Sequence, residues 1–301
     1  MLYWGGNALV KHATRLARVL GMSPLVVGLT VVSFGTSSPE LLTTLTATFK
    51  QAPDVAMGNV VGSNLANLGL VLGLSAAIYP LRTQSHFIRR EVPFTIFTAA
   101  LLLPLSRNLS IGRPEGLLLV ALLALYLWVL LRYDSNDTAA AEFSEAYGDG
   151  SAPLWRSVLG VTLGIALLVA GAQTLISGAL QLAELLGVSG RIVGLSVVAL
   201  STSLPELASS LAAAWNKQGD ILVGNLIGSN IFNTLAILGI TALVNPITIS
   251  PQIARVDLWL MVGLSALVWP FLSTKLRLER WEGAILGALY VAYLIFIYGG
   301  Y

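Results

Sequence analysis

Apolar segments of roughly 20 residues alternate with short polar connections along the whole chain. A helix of that length crosses the hydrocarbon layer of a bilayer, which is about 30 Å thick. In the second half, the pattern predicts helices at 154–186, 191–215, 221–244, 254–272 and 281–299. In the first half, it predicts an element at 1–20 and helices at 24–49, 56–79, 91–106 and 115–131. The chain is therefore predicted to be an all-α polytopic membrane protein.

The two halves of the chain resemble each other closely. Residues 1–80 align with 167–246 without a gap, and 32 of the 80 aligned positions are identical. Each half holds five predicted elements, and because five is odd, the second half has to enter the membrane in the opposite orientation. We therefore predict a ten-helix fold of two inverted five-helix repeats, 1–132 and 154–301, joined by an acidic linker at 133–153. Internal repeats of this kind are common in secondary transporters, whose sites lie near the bilayer midplane.

The first helix is shorter than its counterpart in the second repeat. Only ten residues precede Lys11, whereas the second repeat opens with the longer stretch PLWRSVLGVTLGIALLVAGAQTL. Ten residues are too few to span a bilayer. Either the given sequence lacks about half of this helix, for which we favour a misassigned start codon as the explanation, or the helix is short in the native protein.

Composition and charge support this class and give the protein an orientation. Hydrophobic residues make up 55% of the chain and charged residues only 11%, with a mean hydropathy of +0.79. Soluble domains carry about 25% charged residues. Cysteine is absent, which excludes disulfides and thiolate sites. With both termini placed outside, twelve Lys and Arg residues fall in inner connections and five in outer ones, as the positive-inside rule requires.

Two carboxylates interrupt otherwise apolar segments. Glu40 lies in VVSFGTSSPELLTTL and Glu206 in VVALSTSLPELASSL, and neither repeat has a Lys or Arg in mid-span. An ionisable side chain at the bilayer centre costs at least about 2.5–3.5 kcal/mol. The neighbouring Pro39 and Pro205 lack an N–H and are predicted to break the helices, which frees backbone carbonyl groups. A cation, a proton or both are therefore predicted to compensate the paired acids.

Oxygen-bearing side chains accompany the two carboxylates at helical spacing. They are Ser33, Thr36, Ser37, Asn59, Ser63 and Asn67 in the first copy, and Thr202, Ser203, Asn225, Ser229 and Asn233 in the second. His, Cys and Met are absent from these stripes, which argues against soft transition metals. Calcium takes about six to eight oxygen ligands, and one such ion neutralises two carboxylates. Amides such as Asn59, Asn64, Asn225 and Asn230 also commonly cross-link broken helices, so both interpretations stay open for them.

The two motifs resemble those of a known family. GTSSPE…GNVVGSNLANLG and STSLPE…GNLIGSNIFNTL are similar to the paired alpha-repeats of the cation/calcium exchanger superfamily, especially its prokaryotic sodium/calcium exchanger branch. The resemblance covers nearly the whole chain and implies a prokaryotic cytoplasmic membrane protein with overlapping calcium and sodium positions. The metal ligands that it implies are Glu40, Glu206, Asn67, Asn233, Thr36, Ser37, Thr202, Ser203, Ser63 and Ser229, with the backbone carbonyl of Ser33 and its counterpart Ala199. Some members of the family carry an Asp where Asn233 stands.

The residues and the resemblance together predict a secondary active antiporter that exchanges calcium for sodium by alternating access. Nothing resembles a P-loop, so a nucleotide is not expected, and neither are nucleic acid or a cofactor. The expected partners are Ca²⁺, Na⁺ and the lipid bilayer, with the monomer as the functional unit.

Other functions remain as alternatives. A calcium/proton exchanger of the same fold is favoured by the uncharged Asn233, and a passive cation channel would conduct without a counter-ion. An enzyme is not expected, because an intramembrane hydrolase would need paired Asp, a Ser–His pair or zinc ligands in mid-span, and the sequence has none there.

Overall fold

The computed structural model describes residues 1–134, 153–185 and 199–298 of the 301-residue chain. Residues 135–152 of the predicted linker at 133–153 lie outside the described ranges, and so do residues 191–198 of the predicted helix at 191–215. Helices make up nearly all of the described chain.

The described α-helices follow the chain in this order: α1 Leu2–Leu20, α2 Pro24–Val27, α3 Ser33–Thr36, α4 Ser38–Phe49, α5 Pro53–Ala66, α6 Leu72–Ile78, α7 Ser85–Leu105, α8 Arg113–Asp134, α9 Leu154–Leu185, α10 Ala199–Thr202, α11 Leu204–Trp215, α12 Gly219–Phe232, α13 Leu238–Val244, α14 Leu258–Ser273 and α15 Arg280–Tyr298. Short π-helical segments connect some of them, at Gly28–Val32, Asn67–Val71, Asn233–Ile237 and Ile253–Asp257. The described strands are β1 Leu81–Arg82, β2 Ser110–Ile111, β3 Ile247–Thr248 and β4 Arg277–Leu278.

These helices fall into the ten predicted segments. Within the described ranges, six spans are long and apolar enough to cross a membrane, namely Pro53–Ile78, Arg113–Arg132, Leu154–Gly171, Gly219–Val244, Ile253–Ser273 and Arg280–Ile297. A bent pair, Pro24–Thr36 followed by Ser38–Phe49 at an angle of 42°, forms a seventh. The helices α1, α7 and α10–α11 supply the remaining segments. The fold is the predicted all-α membrane protein.

The predicted helix at 91–106 is wrong at its start, because α7 begins at Ser85. Arg90 lies inside this helix, although the hydropathy pattern places it in a connection. The physical reason is local neutralisation. Glu91 is fully buried, but Arg90 pairs with one of its carboxylate oxygens and the Tyr126 hydroxyl donates to the other at 2.6 Å. The charged turn is therefore stable within the helix.

Contacts between the two halves are reciprocal. Strand β1 pairs with β4, and β2 pairs with β3, in two short antiparallel ribbons. Because β3 is the repeat counterpart of β1, and β4 that of β2, exchanging the two halves converts one ribbon into the other. Helix packing follows the same rule, since α6 packs on α15 and α13 packs on α8. Such mutual contacts are the signature of a two-fold relation, here within one chain.

The interior of the molecule is built from α5–α6 and α12–α13. In an apolar stretch of 18 residues within each of these two spans, 72% and 83% of the residues are buried, against 22% in the corresponding stretches of α8 and α15. The outer helices therefore present apolar side chains to the surroundings, as membrane helices do. All seven tryptophans are at least 47% exposed, a position that suits anchoring in lipid or at its interface: Trp4, Trp128, Trp155, Trp215, Trp259, Trp269 and Trp281.

A carboxylate–tyrosine pair links neighbouring helices in each half. The Tyr126 hydroxyl donates to Glu91 at 2.6 Å, and the Tyr293 hydroxyl donates to Asp257 at 3.1 Å. Glu91 is fully buried, whereas Asp257 is partly exposed. Because a hydrogen bond to a buried charged group contributes about 1.5–3 kcal/mol, we expect Tyr126→Phe to lower the melting temperature more than Tyr293→Phe does. Thermal unfolding of both purified variants checks this, and equal melting temperatures would contradict it.

Candidate cation site

The two candidate carboxylates lie just after helix breaks. Helix α3 ends at Thr36, Ser37 leaves the helical conformation at φ −85° and ψ 3°, and α4 begins one residue later with Pro39 in its first turn. The second copy repeats this break at Ser203, with φ −86° and ψ 4°. Proline causes it, because the ring lacks an N–H and clashes with the carbonyl four residues earlier. The predicted breaks are confirmed.

Each break places a glutamate in the first turn of the following helix. Glu40 lies in the first turn of α4 and Glu206 in the first turn of α11, where the helix dipole favours a negative group. Both side chains are completely buried, and the hydroxyl of Ser37, three residues before Glu40, donates to Glu206. The candidate acids of the two repeats are therefore close together inside the protein.

The surroundings of the two carboxylates differ. Oε1 of Glu206 accepts a hydrogen bond from the Ser37 hydroxyl at 3.3 Å. Neither oxygen of Glu40 has a hydrogen-bond partner among the described residues, and Oε2 of Glu206 has none either. The hydroxyl of Ser203, which is the counterpart of Ser37, also has no partner there. Burying an unpaired carboxylate is costly, so these oxygens require a proton or a cation.

Amides and threonines join the two halves around the acids. Thr36 donates to Oδ1 of Asn225 at 3.2 Å, and Thr202 donates to Oδ1 of Asn59 at 3.1 Å. The Asn59 Nδ2 group in turn donates to the backbone carbonyl of Glu40 at 3.2 Å. The two amides thus cross-link the broken helices, which favours the structural interpretation for Asn59 and Asn225.

A second pair of amides leaves oxygen atoms without partners. Nδ2 of Asn67 donates to Oδ1 of Asn230, and Nδ2 of Asn233 donates to Oδ1 of Asn64, both at 3.1 Å. The Oδ1 atoms of Asn67 and Asn233 are buried and have no hydrogen-bond partner in the described part of the chain. An amide held through its nitrogen presents its carbonyl oxygen, the atom that a hard cation binds.

The candidate serines Ser33, Ser63 and Ser229 are also buried. The Ser63 hydroxyl lies 3.4 Å from that of Thr202, and the Ser229 hydroxyl has no partner among the described groups. The Ser33 hydroxyl donates to the backbone carbonyl of Asn225 at 2.9 Å, and the Ser33 carbonyl accepts the Ser37 N–H at 2.9 Å. Ala199 is the first residue of α10.

One contributor to this region has no signal in the repeat pattern. Thr234 accepts a hydrogen bond from Nδ2 of Asn64 at 3.1 Å, yet the counterpart of Thr234 in the first repeat is Leu68. A comparison of the two repeats therefore does not identify Thr234 as part of this region. Only the packing of α5 against the π-helical turn Asn233–Ile237 places Thr234 beside the asparagine.

The fold and this cluster of buried oxygen atoms are those of an integral membrane transport protein. The family described as "Sodium/calcium exchanger protein" matches residues 1–132 and 156–299. The chain belongs to the sodium/calcium exchanger family.

Relatives and solved structures agree with this assignment. The sodium/calcium exchanger MaX1 of Methanosarcina acetivorans is 31% identical, over 98% of this chain and 94% of its own length. The inner membrane protein YrbG of Escherichia coli is 32% identical, over 99% and 94% of the two chains. A structure of the sodium-calcium exchanger NCX_Mj, soaked with zero Na⁺ and Ca²⁺, has a TM-score of 0.85 and 29% identity, and the match covers 98% of this chain and 94% of that one.

Proposed function

We propose that this protein exchanges calcium for sodium across the membrane, and that both ions bind between Glu40 and Glu206. The observation that carries this proposal is the pair of fully buried carboxylates, one from each repeat, with oxygens that have no hydrogen-bond partner among the described residues. The Oδ1 atoms of Asn67 and Asn233, which have no partner in the described part of the chain either, add neutral ligands. Carboxylate, amide and hydroxyl oxygens are the ligands that Ca²⁺ prefers, at about 2.3–2.6 Å.

Exchange follows from competition for the same oxygen atoms. The two carboxylates carry two negative charges, which one Ca²⁺ or two Na⁺ ions neutralise. Calcium and sodium therefore exclude each other from the site, and an empty site keeps two uncompensated charges in the interior. The repeats 1–132 and 154–301 alternately open the site to the two sides, and the empty protein is slow to do so because the charges are unpaired.

The proposal includes a location and a working unit. The homologous proteins include an inner membrane protein of a bacterium, which supports a location in the cytoplasmic membrane. The proposed orientation has both termini outside, and the positive-inside rule supports it because twelve of the 17 Lys and Arg residues then fall in inner connections. We propose that the protein acts as a monomer, because one chain supplies both halves of the site. The proposal involves no nucleotide, no cofactor and no enzymatic activity.

A calcium/proton exchanger is the second candidate. The uncharged Asn233 favours it, and neither oxygen of Glu40 has a partner among the described groups, so a proton could replace the second cation there. In that case, protonation of the carboxylates would substitute for sodium binding in the return step.

Calcium uptake into proteoliposomes distinguishes these candidates. Vesicles loaded with sodium and diluted into a sodium-free medium should take up radioactive calcium, and a sodium ionophore should stop this uptake. Vesicles with a pH gradient and no sodium should take up none. Uptake driven by the pH gradient alone would support the proton exchanger, and uptake that needs no counter-ion would indicate a channel.

A further inference from the structure

The second layer of the site differs between the two repeats. Asn64 and Asn230 are counterparts, and each accepts a hydrogen bond from the candidate ligand amide of the opposite repeat. Nδ2 of Asn64 donates to the Thr234 hydroxyl at 3.1 Å. Nδ2 of Asn230 is buried without a partner in the described part of the chain.

The cause of this difference is one position. Thr234 and Leu68 occupy equivalent places in the repeats, and both are buried. Leucine has no hydrogen-bonding group in its side chain, so the first repeat offers nothing at this position to the second asparagine. The sulfur atom of Met261 lies 3.4 Å from Nδ2 of Asn64. Because this sulfur is a weak acceptor and cannot donate, it favours the amide nitrogen over the amide oxygen on this side.

A hydrogen-bonded chain runs from Thr234 to the candidate site. Nδ2 of Asn64 donates to the Thr234 hydroxyl and also faces the Met261 sulfur, which can only accept, so Oδ1 of Asn64 is turned towards Asn233. That oxygen accepts from Nδ2 of Asn233 at 3.1 Å, which leaves Oδ1 of Asn233 without a partner. If the Asn64 amide turned over, two N–H groups would face each other, and Asn233 would have to turn its nitrogen towards the cation.

We propose that Thr234 is a positioning residue, which fixes the amide of Asn233 with its oxygen towards the bound cation. This inference rests on the proposed function, because it takes Asn233 as a ligand. Asn67 has no equivalent support, since nothing described holds the amide of Asn230 in one orientation. The site therefore combines one fixed amide ligand with one adaptable amide ligand, and calcium affinity depends more on position 234 than on position 68.

Three variants separate positioning from simple packing. Thr234→Val keeps the shape of the side chain and removes the hydroxyl, Thr234→Ser keeps the hydroxyl, and Leu68→Val alters the counterpart position without adding or removing a polar group. Equilibrium calcium binding to the purified full-length protein gives the half-saturating concentration without requiring transport. Melting temperatures of the same samples report packing.

We expect Thr234→Val to raise the half-saturating calcium concentration roughly 10-fold, as loss of an outer-shell partner does at metal sites. Thr234→Ser should stay within about twofold of the wild-type protein, because its hydroxyl still accepts from Asn64. Leu68→Val should also leave calcium binding unchanged, even if its melting temperature falls.

Several results would overturn the inference. They are unchanged calcium binding in Thr234→Val, equal losses in Thr234→Val and Thr234→Ser, and a lower melting temperature of Thr234→Val with normal calcium binding. Failure of the proposed function alone would give a different result: the wild-type protein would bind calcium but show no sodium-driven uptake. A wild-type protein that binds no calcium would refute both.

Discussion

Replacing Glu40 and Glu206 together by glutamine should abolish sodium-driven calcium uptake while the protein still folds. Glutamine has nearly the shape of glutamate, so packing in the completely buried site changes little. The substitution removes both negative charges, and neutral oxygens alone do not compensate for the lost hydration of a divalent ion in a buried site. Uptake by proteoliposomes should fall at least about 100-fold, which corresponds to about 2.8 kcal/mol at about 1.4 kcal/mol per factor of ten.

The chain contains a matched pair of glutamates that serves as the control. Glu115 accepts the backbone N–H of Gly112 at 2.9 Å, and Glu282 accepts that of Glu279 at 2.7 Å, each near the start of its helix. The double variant Glu115→Gln and Glu282→Gln removes the same number of charges, yet its amide oxygens can still accept those bonds. We expect it to keep most of the uptake. Uptake that survives in the Glu40 and Glu206 double variant would place the ion elsewhere.

The helix breaks of the candidate site were accessible from the sequence because their cause is local. Pro39 and Pro205 act on the carbonyl four residues earlier, and the chain leaves the helical conformation at Ser37 and Ser203. The polar stripes are equally local, since residues three or four apart share a helix face. Their role as cation ligands stays a prediction.

Pairings between the halves were not accessible, because they depend on how two distant segments face each other. Asn59, Ser63 and Asn67 share one stripe, and spacing alone does not give the partner of each. In the structure, Oδ1 of Asn59 accepts from Thr202, whereas Oδ1 of Asn67 accepts from nothing described. Thr234 shows the same limit, since its acceptor role appears only when Asn64 lies beside it.

Burial of charge was the other feature that hydropathy could not reveal. The pattern places the start of α7 in a connection because Arg90 and Glu91 raise its polarity. In the fold, the carboxylate of Glu91 is neutralised by Arg90 and bonded by Tyr126, a residue 35 positions away in sequence. Apolar length therefore predicts the spans well and their charged ends poorly.

Adding a single methyl group at Gly228 should disrupt both the helix crossing and the site. A Cβ atom there would lie 2.6 Å from the backbone carbonyl oxygen of Leu29 and would also collide with the Ser33 hydroxyl. The contact with Leu29 is to backbone, so no side-chain rotation relieves it, and α12 has to move away from the segment Gly28–Val32. Because Ser33 bonds the Asn225 carbonyl across this crossing, the displacement reaches the Thr36 region.

We expect Gly228→Ala to lower the melting temperature and to reduce sodium-driven calcium uptake at least about tenfold, since overpacking a close crossing costs about 1–3 kcal/mol. Gly263→Ala is the matched control, because no described atom lies within 4 Å of the Cβ that it adds. Uptake per folded protein and thermal unfolding should be measured on both variants. Similar behaviour of the two would mean that the crossing at Gly228 tolerates separation, and that the site does not depend on the close approach of these helices.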